Sequence, residues 1–367
     1  MDSIKGGIRI IKETDMQYTQ LSRRSAGVKS SDIDWEKQYL TFIPVVDTSF
    51  RWAQRATSGT LEYSTNEGQT WVTIANGEST PTITAGSKVI WRGNLKPNTT
   101  SSNGGIGSFS ANGNYNAYGN TMSLLYYDNY YGSQLNSTAY NYAFRKLFYN
   151  DTYVLSAPIL PATILATYCY NSMFQGCTSL TTAPELPATT LANSCYSVMF
   201  YGCTSLTTAP ELPATTLANG CYYGMFEYCK SLVTSPELPA TTLADSCYSY
   251  MFDGCTSLVT APKVLPATTL AKSCYSGMFS GCKSLVTAPE LPATTLAEEC
   301  YGYMFYGCSS LNYIKALFTT TPSSDYTNQW VKRVASTGTF VKNRKATWTT
   351  TGVNGIPTGW TVVDDNS

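Results

Sequence analysis

From residue 142 onward the apolar positions of the chain repeat themselves every 26 residues, and one clear period, residues 195–220, reads CYSVMFYGCTSLTTAPELPATTLANG. Six cysteine pairs mark the register, at 169/177, 195/203, 221/229, 247/255, 274/282 and 300/308, with a single step of 27. Within a period Leu191, Cys195 and Met199 lie four apart with Phe200 beside the last, a spacing that predicts one to two helical turns with a single apolar face. Gly202 then suits the left-handed residue that ends a helix, although the third full coil carries Tyr228 at that place. Residues 204–209 are polar and β-branched around Leu206 and predict a short strand, which Pro210 and Pro213 keep short. One such coil cannot bury its own leucines, whereas stacked copies make a continuous core. With strands ~4.8 Å apart, seven coils give a rod of roughly 30 to 35 Å.

The first coil is degenerate: residues 142–161 place Leu147 and Phe148 in the Met-Phe slots but Ala143 and Asp151 where the cysteines belong, as an N-terminal cap would. Upstream the pattern shortens to alternating runs at 39–46, 50–54, 60–63, 70–74 and 88–92, separated by Gly, Asn and Ser, which predict an antiparallel sandwich or barrel. Residues 98–120 read as a long loop leading into a twisted hairpin. The segment from Ser64 to Trp71 resembles the Asp-box turn of sialidase-like propellers, with Asn66 in the aspartate position. A single copy makes it a plain hairpin, held by a short polar side chain and Gly68. After Thr321 the repeat stops; 322–336 carries helix signals and 339–342 and 359–363 strand signals, together an end cap that would cover unpaired edges. The expected division is a polar arm at 1–38, a β-sandwich at 39–135, the repeat array at 136–320 and the cap at 321–367.

Composition narrows the chemistry. Lys plus Arg equals Asp plus Glu at 24 each, so no basic face for nucleic acid is expected. No apolar run is long enough to insert in a membrane, and residues 1–7 lack the basic-then-apolar pattern of a secretory signal. There is no histidine, which removes the Ser-His-Asp and Cys-His mechanisms and histidine-bearing metal sites. No catalytic residue, cofactor or metal is expected.

Twelve cysteines could form disulfides. Stacking like on like instead suits two ladders of buried free thiols acting as small apolar residues, and the spacing of eight does not suit metal. Glu185, Glu211, Glu237 and Glu290 form a row that reads as a solvated rim, with calcium as the alternative. Lys263, followed by the extra Val264, should bulge and place a cation between Glu237 and Glu290. Asn98, Asn136 and Asn150 head sequons that matter only in a eukaryotic secretory route.

Tyr170, Tyr196, Tyr222, Tyr248, Tyr275 and Tyr301 recur strictly, as packed ladder residues do. The positions beside them, 171/172 and its equivalents, vary from coil to coil, as do Gln175, Tyr201, Glu227, Asp253, Ser280 and Tyr306. Variation inside a rigid repeat marks exposure, and aromatic choices there suit a sugar- or protein-binding face. The candidate ligand-binding residues are Tyr201, Tyr223, Tyr250, Tyr303 and Tyr306; unselected drift is the competing explanation.

The string MFxGCxSLxxxPxLP resembles the BspA-like leucine-rich repeats of bacterial surface proteins. The domain ahead of it, with its EYSTNEGQTW hairpin, and the tail are similar to modules of proteins from gut Bacteroides and their phages. The resemblance implies a β-rich fold, an antiparallel β-sandwich followed by a leucine-rich-repeat α/β solenoid with a small C-terminal cap. It also implies a non-enzymatic adhesion role. Combined with the expected lack of export, this suggests a phage head or tail fibre on the virion surface. In that reading the arm at 1–38 contacts other virion proteins or sister subunits in a homo-oligomer, and the repeats contact a bacterial surface glycan or protein. A bacterial cell-surface adhesin is the alternative, and a hydrolase a distant third.

Overall fold

A computed structural model describes residues 33–100 and 103–365. It is β-rich, with open sheets and only two one-turn α-helices among the described residues, Ser123–Tyr126 and Ser324–Thr327. The expected arm at 1–38 lies outside the described residues except for 33–38. Within that end, Trp35–Lys37 form a single 3-10 turn, and Trp35 stacks on Tyr118 at 4.9 Å.

The predicted strands appear as β1 (Leu40–Pro44), β2 (Phe50–Gln54), β3 (Leu61–Ser64), β4 (Val72–Thr73) and β5 (Val89–Gly93). They are joined by β6 (Gly107–Ala111), β7 (Tyr115–Tyr118) and β8 (Val154–Ser156). One sheet runs β4-β3-β5-β1-β7-β8 and a second pairs β2 with β6. Alternation directs Phe42, Phe50, Trp91, Phe109 and Tyr115 inward, where their rings meet at 4.8 to 5.5 Å across the two sheets.

Two expectations change here. β6 and β7 are not a hairpin: β6 joins β2 and β7 joins β1, because their buried aromatics fill opposite sides of the same core. The first sheet is also not purely antiparallel, since β8, from the first coil, adds to β7 in parallel. The Ser64–Trp71 turn is a hairpin as read. The Ser64 hydroxyl donates to Asn66 Oδ1 at 2.8 Å, and that oxygen accepts the Thr70 N–H at 3.0 Å.

β8 begins a ladder that continues through the repeats by parallel bridges, from Ser156 to Thr182, Thr208, Thr234 and Thr260. At the 27-residue coil the pairing changes to Val264 with Glu290, and from Thr287 the ladder passes to β9 (Tyr313–Ala316), β10 (Thr339–Asn343) and β11 (Thr361–Asp365). The extra residue Val264 is paired with Glu290 in a parallel bridge rather than left out as a bulge, and the cation beside Glu290 is Lys315 at 3.0 Å rather than Lys263. Lys315 comes from β9, in the following coil.

The predicted helical half of each coil is a row of linked turns. In the first full coil the N–H groups of Cys169, Asn171, Met173 and Gln175 close turns onto carbonyls three residues back. Those of Tyr168, Tyr170, Ser172, Phe174 and Gly176 instead reach carbonyls of the next coil, as Tyr170 does to Cys195 at 3.0 Å. Every donor is paired, half of them sideways, which an α-helix does not permit. Every fourth residue is left-handed: Tyr168, Ser172 and Gly176 have φ of 56, 57 and 76°, and equivalent residues repeat this in later coils. Non-glycine residues pay roughly 1 to 2 kcal/mol each for that conformation, offset by the lateral bonds and the stacking they allow. The predicted cap helix fails for the same reason. After its N-capped first turn, residues 325–332 accept lateral bonds from Tyr301, Tyr303, Phe305 and Gly307 as one more row.

The core is a set of columns. Ring centroids of the Tyr170-to-Tyr301 column are 5.6 to 6.0 Å apart, and those from Phe148 to Phe305 are 5.2 to 5.9 Å apart, nearly parallel throughout. All twelve cysteines are buried and free. The second-column thiols donate to a phenylalanine carbonyl of the coil before, Cys203 to Phe174 at 3.1 Å for example. The ends are closed differently. Asp151, in a cysteine slot, accepts the Tyr115 hydroxyl at 2.9 Å, while Trp330 and Trp348 cover the last coil.

Candidate functional site

Coil-to-coil difference lies along the turn row, but variation does not mark exposure throughout: Asn171, Ser172, Ser197, Ser249 and Ser276 are buried, while Tyr223 is exposed. The five predicted tyrosines separate into two groups. Tyr201, Tyr223 and Tyr250 lie on three successive coils. Tyr223 packs edge-on against Tyr250 at 5.7 Å, and Tyr201 edge-on against Tyr228 at 5.4 Å. Tyr303 and Tyr306 are engaged by the end cap. The Tyr303 hydroxyl accepts from Asn328 Nδ2 and Gln329 Nε2, both at 3.2 Å, and the Tyr306 ring lies under Lys332 and Arg333.

Tyr228, the residue that breaks the glycine column, belongs to the first group. It holds the left-handed position itself, at φ 58°, and its ring lies where a Cβ on Gly254 of the next coil would stand. Tyr250 covers Gly277 in the same way. In these two pairs the tyrosine ring on one coil leaves room only for glycine on the next.

Two carboxylates complete the patch. Burial first, and then the charge of Asp253, raises the Glu227 carboxyl to about 7. Burial also raises Asp253, against hydrogen bonds from Ser280 and the Gly254 N–H. The Tyr228 phenol is raised chiefly by the Asp253 charge, and that of Tyr201 by burial and then by Glu227. Sequence reasoning had both acids among the variable positions but gave them no role. The break at Tyr228 was the available signal.

The glutamate row is a rim: Glu185, Glu211 and Glu237 are exposed. Among the described residues no cluster of metal-ligating side chains occurs, and no helix is long and apolar enough to cross a membrane.

The repeats match the family described as BspA type leucine-rich repeat region, in 6 copies over residues 142–286 and 215–329. The match spans just over half of the chain, which therefore belongs to the BspA-type leucine-rich repeat family. No curated protein and no solved structure matches it.

Proposed function

We propose that this protein is a non-enzymatic adhesion protein, a β-sandwich spacer followed by a leucine-rich-repeat solenoid that displays the tyrosine patch to a bacterial surface glycan or protein. The observation that carries the reading is the grouping of Tyr201, Tyr223, Tyr228 and Tyr250 with Glu227 and Asp253 on an otherwise repetitive scaffold. Aromatic, weakly charged surface of this kind is the usual material of recognition sites.

The setting we favour is a phage virion, as a head or tail fibre, with residues 1–38 joining other virion proteins or sister subunits in a homo-oligomer. Twelve buried thiols, eight of them hydrogen-bonded as donors to carbonyls, suit assembly in a reducing cytoplasm. The second reading, a bacterial cell-surface adhesin, is favoured by membership of the BspA-type family.

Quantitative mass spectrometry of purified particles separates these settings: fixed stoichiometric copy number supports the fibre, and labelling on intact uninfected cells supports the adhesin. Binding of the full chain to Bacteroides cells tests the surface itself. The double variant Y228A/Y250A should lose most of it, and undiminished binding would refute the role given to the patch.

A further inference from the structure

Beside the tyrosine patch, along the edge of the turn row, runs an open trough of about 500 Å³. We propose that this trough binds an extended, uncharged, β-linked oligosaccharide, about one sugar per coil. The proposal deepens the adhesion reading and rests on it.

The trough exists because one column changes size. Tyr142, Tyr168, Ser194, Gly220 and Ser246 occupy the same left-handed position on successive coils, with φ between 52 and 63°. Tyr142 and Tyr168 stack at 4.9 Å and 3°; at Ser194 the column drops to small residues and leaves a floor. One face of Tyr168 is taken by Tyr142, and the other looks along that floor. Tyr223 borders the trough and links it to the patch.

The opposite border is polar. Asn193, Asn219 and Asp245 are exposed side chains on three successive coils, one per rung of ~4.8 Å. A pyranose in an extended chain advances by about one rung, so three sugars would meet three hydrogen-bonding side chains in register. Carboxamides both donate and accept, as sugar hydroxyls require. The apolar face of a pyranose would rest on a tyrosine ring.

Charge selects against anionic glycans. Lys272, the cation that feels the Asp245 charge, is held by Glu298 at 2.7 Å, so that end of the trough is acidic overall. The N–H groups of Tyr168, Ser194 and Gly220 all donate to the next coil, so the floor column itself offers no donor to an added peptide strand.

The test is titration of the full chain with cellotriose and chitotriose, which are extended, and with maltotriose, which is curved, followed by NMR or calorimetry. Ser194→Tyr fills the floor with a side chain the same column already accepts at Tyr142 and Tyr168, so its thermal unfolding should match that of the parent. Binding of at least one β-linked trisaccharide, weakened about tenfold or more by Ser194→Tyr and unchanged by Tyr228→Ala, is the expected result. Failure of both β-linked sugars to bind, preference for maltotriose, or equal binding by Ser194→Tyr would overturn it. If Y228A/Y250A still abolishes attachment to cells in that case, the trough is wrong and the adhesive patch stands. A retained trisaccharide site with unaffected cell attachment gives the reverse.

Discussion

Replacing Glu227 by glutamine should make the protein more stable at pH 8 and leave it unchanged at pH 4. The Glu227 carboxyl sits among Tyr201, Tyr223, Tyr228, Tyr250 and Asp253 and titrates at about 7 against an ordinary 4.5. The fold therefore holds this proton more tightly than the unfolded chain does. Its stabilising contribution is complete below about pH 4.5 and is lost as the pH rises through about 7. The full displacement corresponds to about 3 kcal/mol. Solvent reaches the half-buried group, and screening reduces the expected effect to about 1 kcal/mol.

Asp151 has the same sign, since burial raises it from 3.8 to about 6, and so has Asp253, also raised by burial, so the parent should lose stability in overlapping steps between about pH 4 and 7. Both Glu227→Gln and the parent keep Asp151, and their difference isolates Glu227. Denaturant unfolding followed by tyrosine fluorescence from pH 4 to pH 8 measures it. An equal offset between variant and parent at both ends of the range, or a variant less stable at pH 8, would refute the reasoning.

The aromatic–glycine rule gives a second test. Gly202→Ala, with φ 71° and nothing within 4 Å of the new methyl, should cost only the backbone term, about 1 kcal/mol. Gly254→Ala, with φ 70° and the Tyr228 ring in the way, should cost about 1 to 3 kcal/mol more; in a Tyr228→Ala background the excess should vanish, as a double-mutant cycle of unfolding energies would show. The cysteines give a third. Burial raises every thiol, Cys247 and Cys300 to about 12, so none should react with a neutral-pH thiol reagent until the chain unfolds, when all twelve should.

Much of this architecture was legible in the sequence alone. Equivalent residues 26 apart had to stack, because one coil cannot bury Leu206 or Phe200 by itself, and the columns of Tyr, Phe and Cys follow from that identity. The strands at 40–44, 50–54, 61–64 and 89–93 were visible in their alternation for the same reason: burial on one face writes itself into every second residue. The helical reading of 191–202 failed because a row of turns with a left-handed residue every fourth position presents the same inward spacing as a helix. Periodicity reports which side chains face the core, but not whether an N–H bonds within its own coil or to the next. Only tertiary structure decides that, since the acceptor for Tyr196 is Cys221, twenty-five residues away. It also decides the surface, where Tyr228 meets Gly254, Tyr303 meets the cap, and Tyr168 ends a trough. Each of those depends on what the neighbouring coil lacks, and no single repeat records its neighbour.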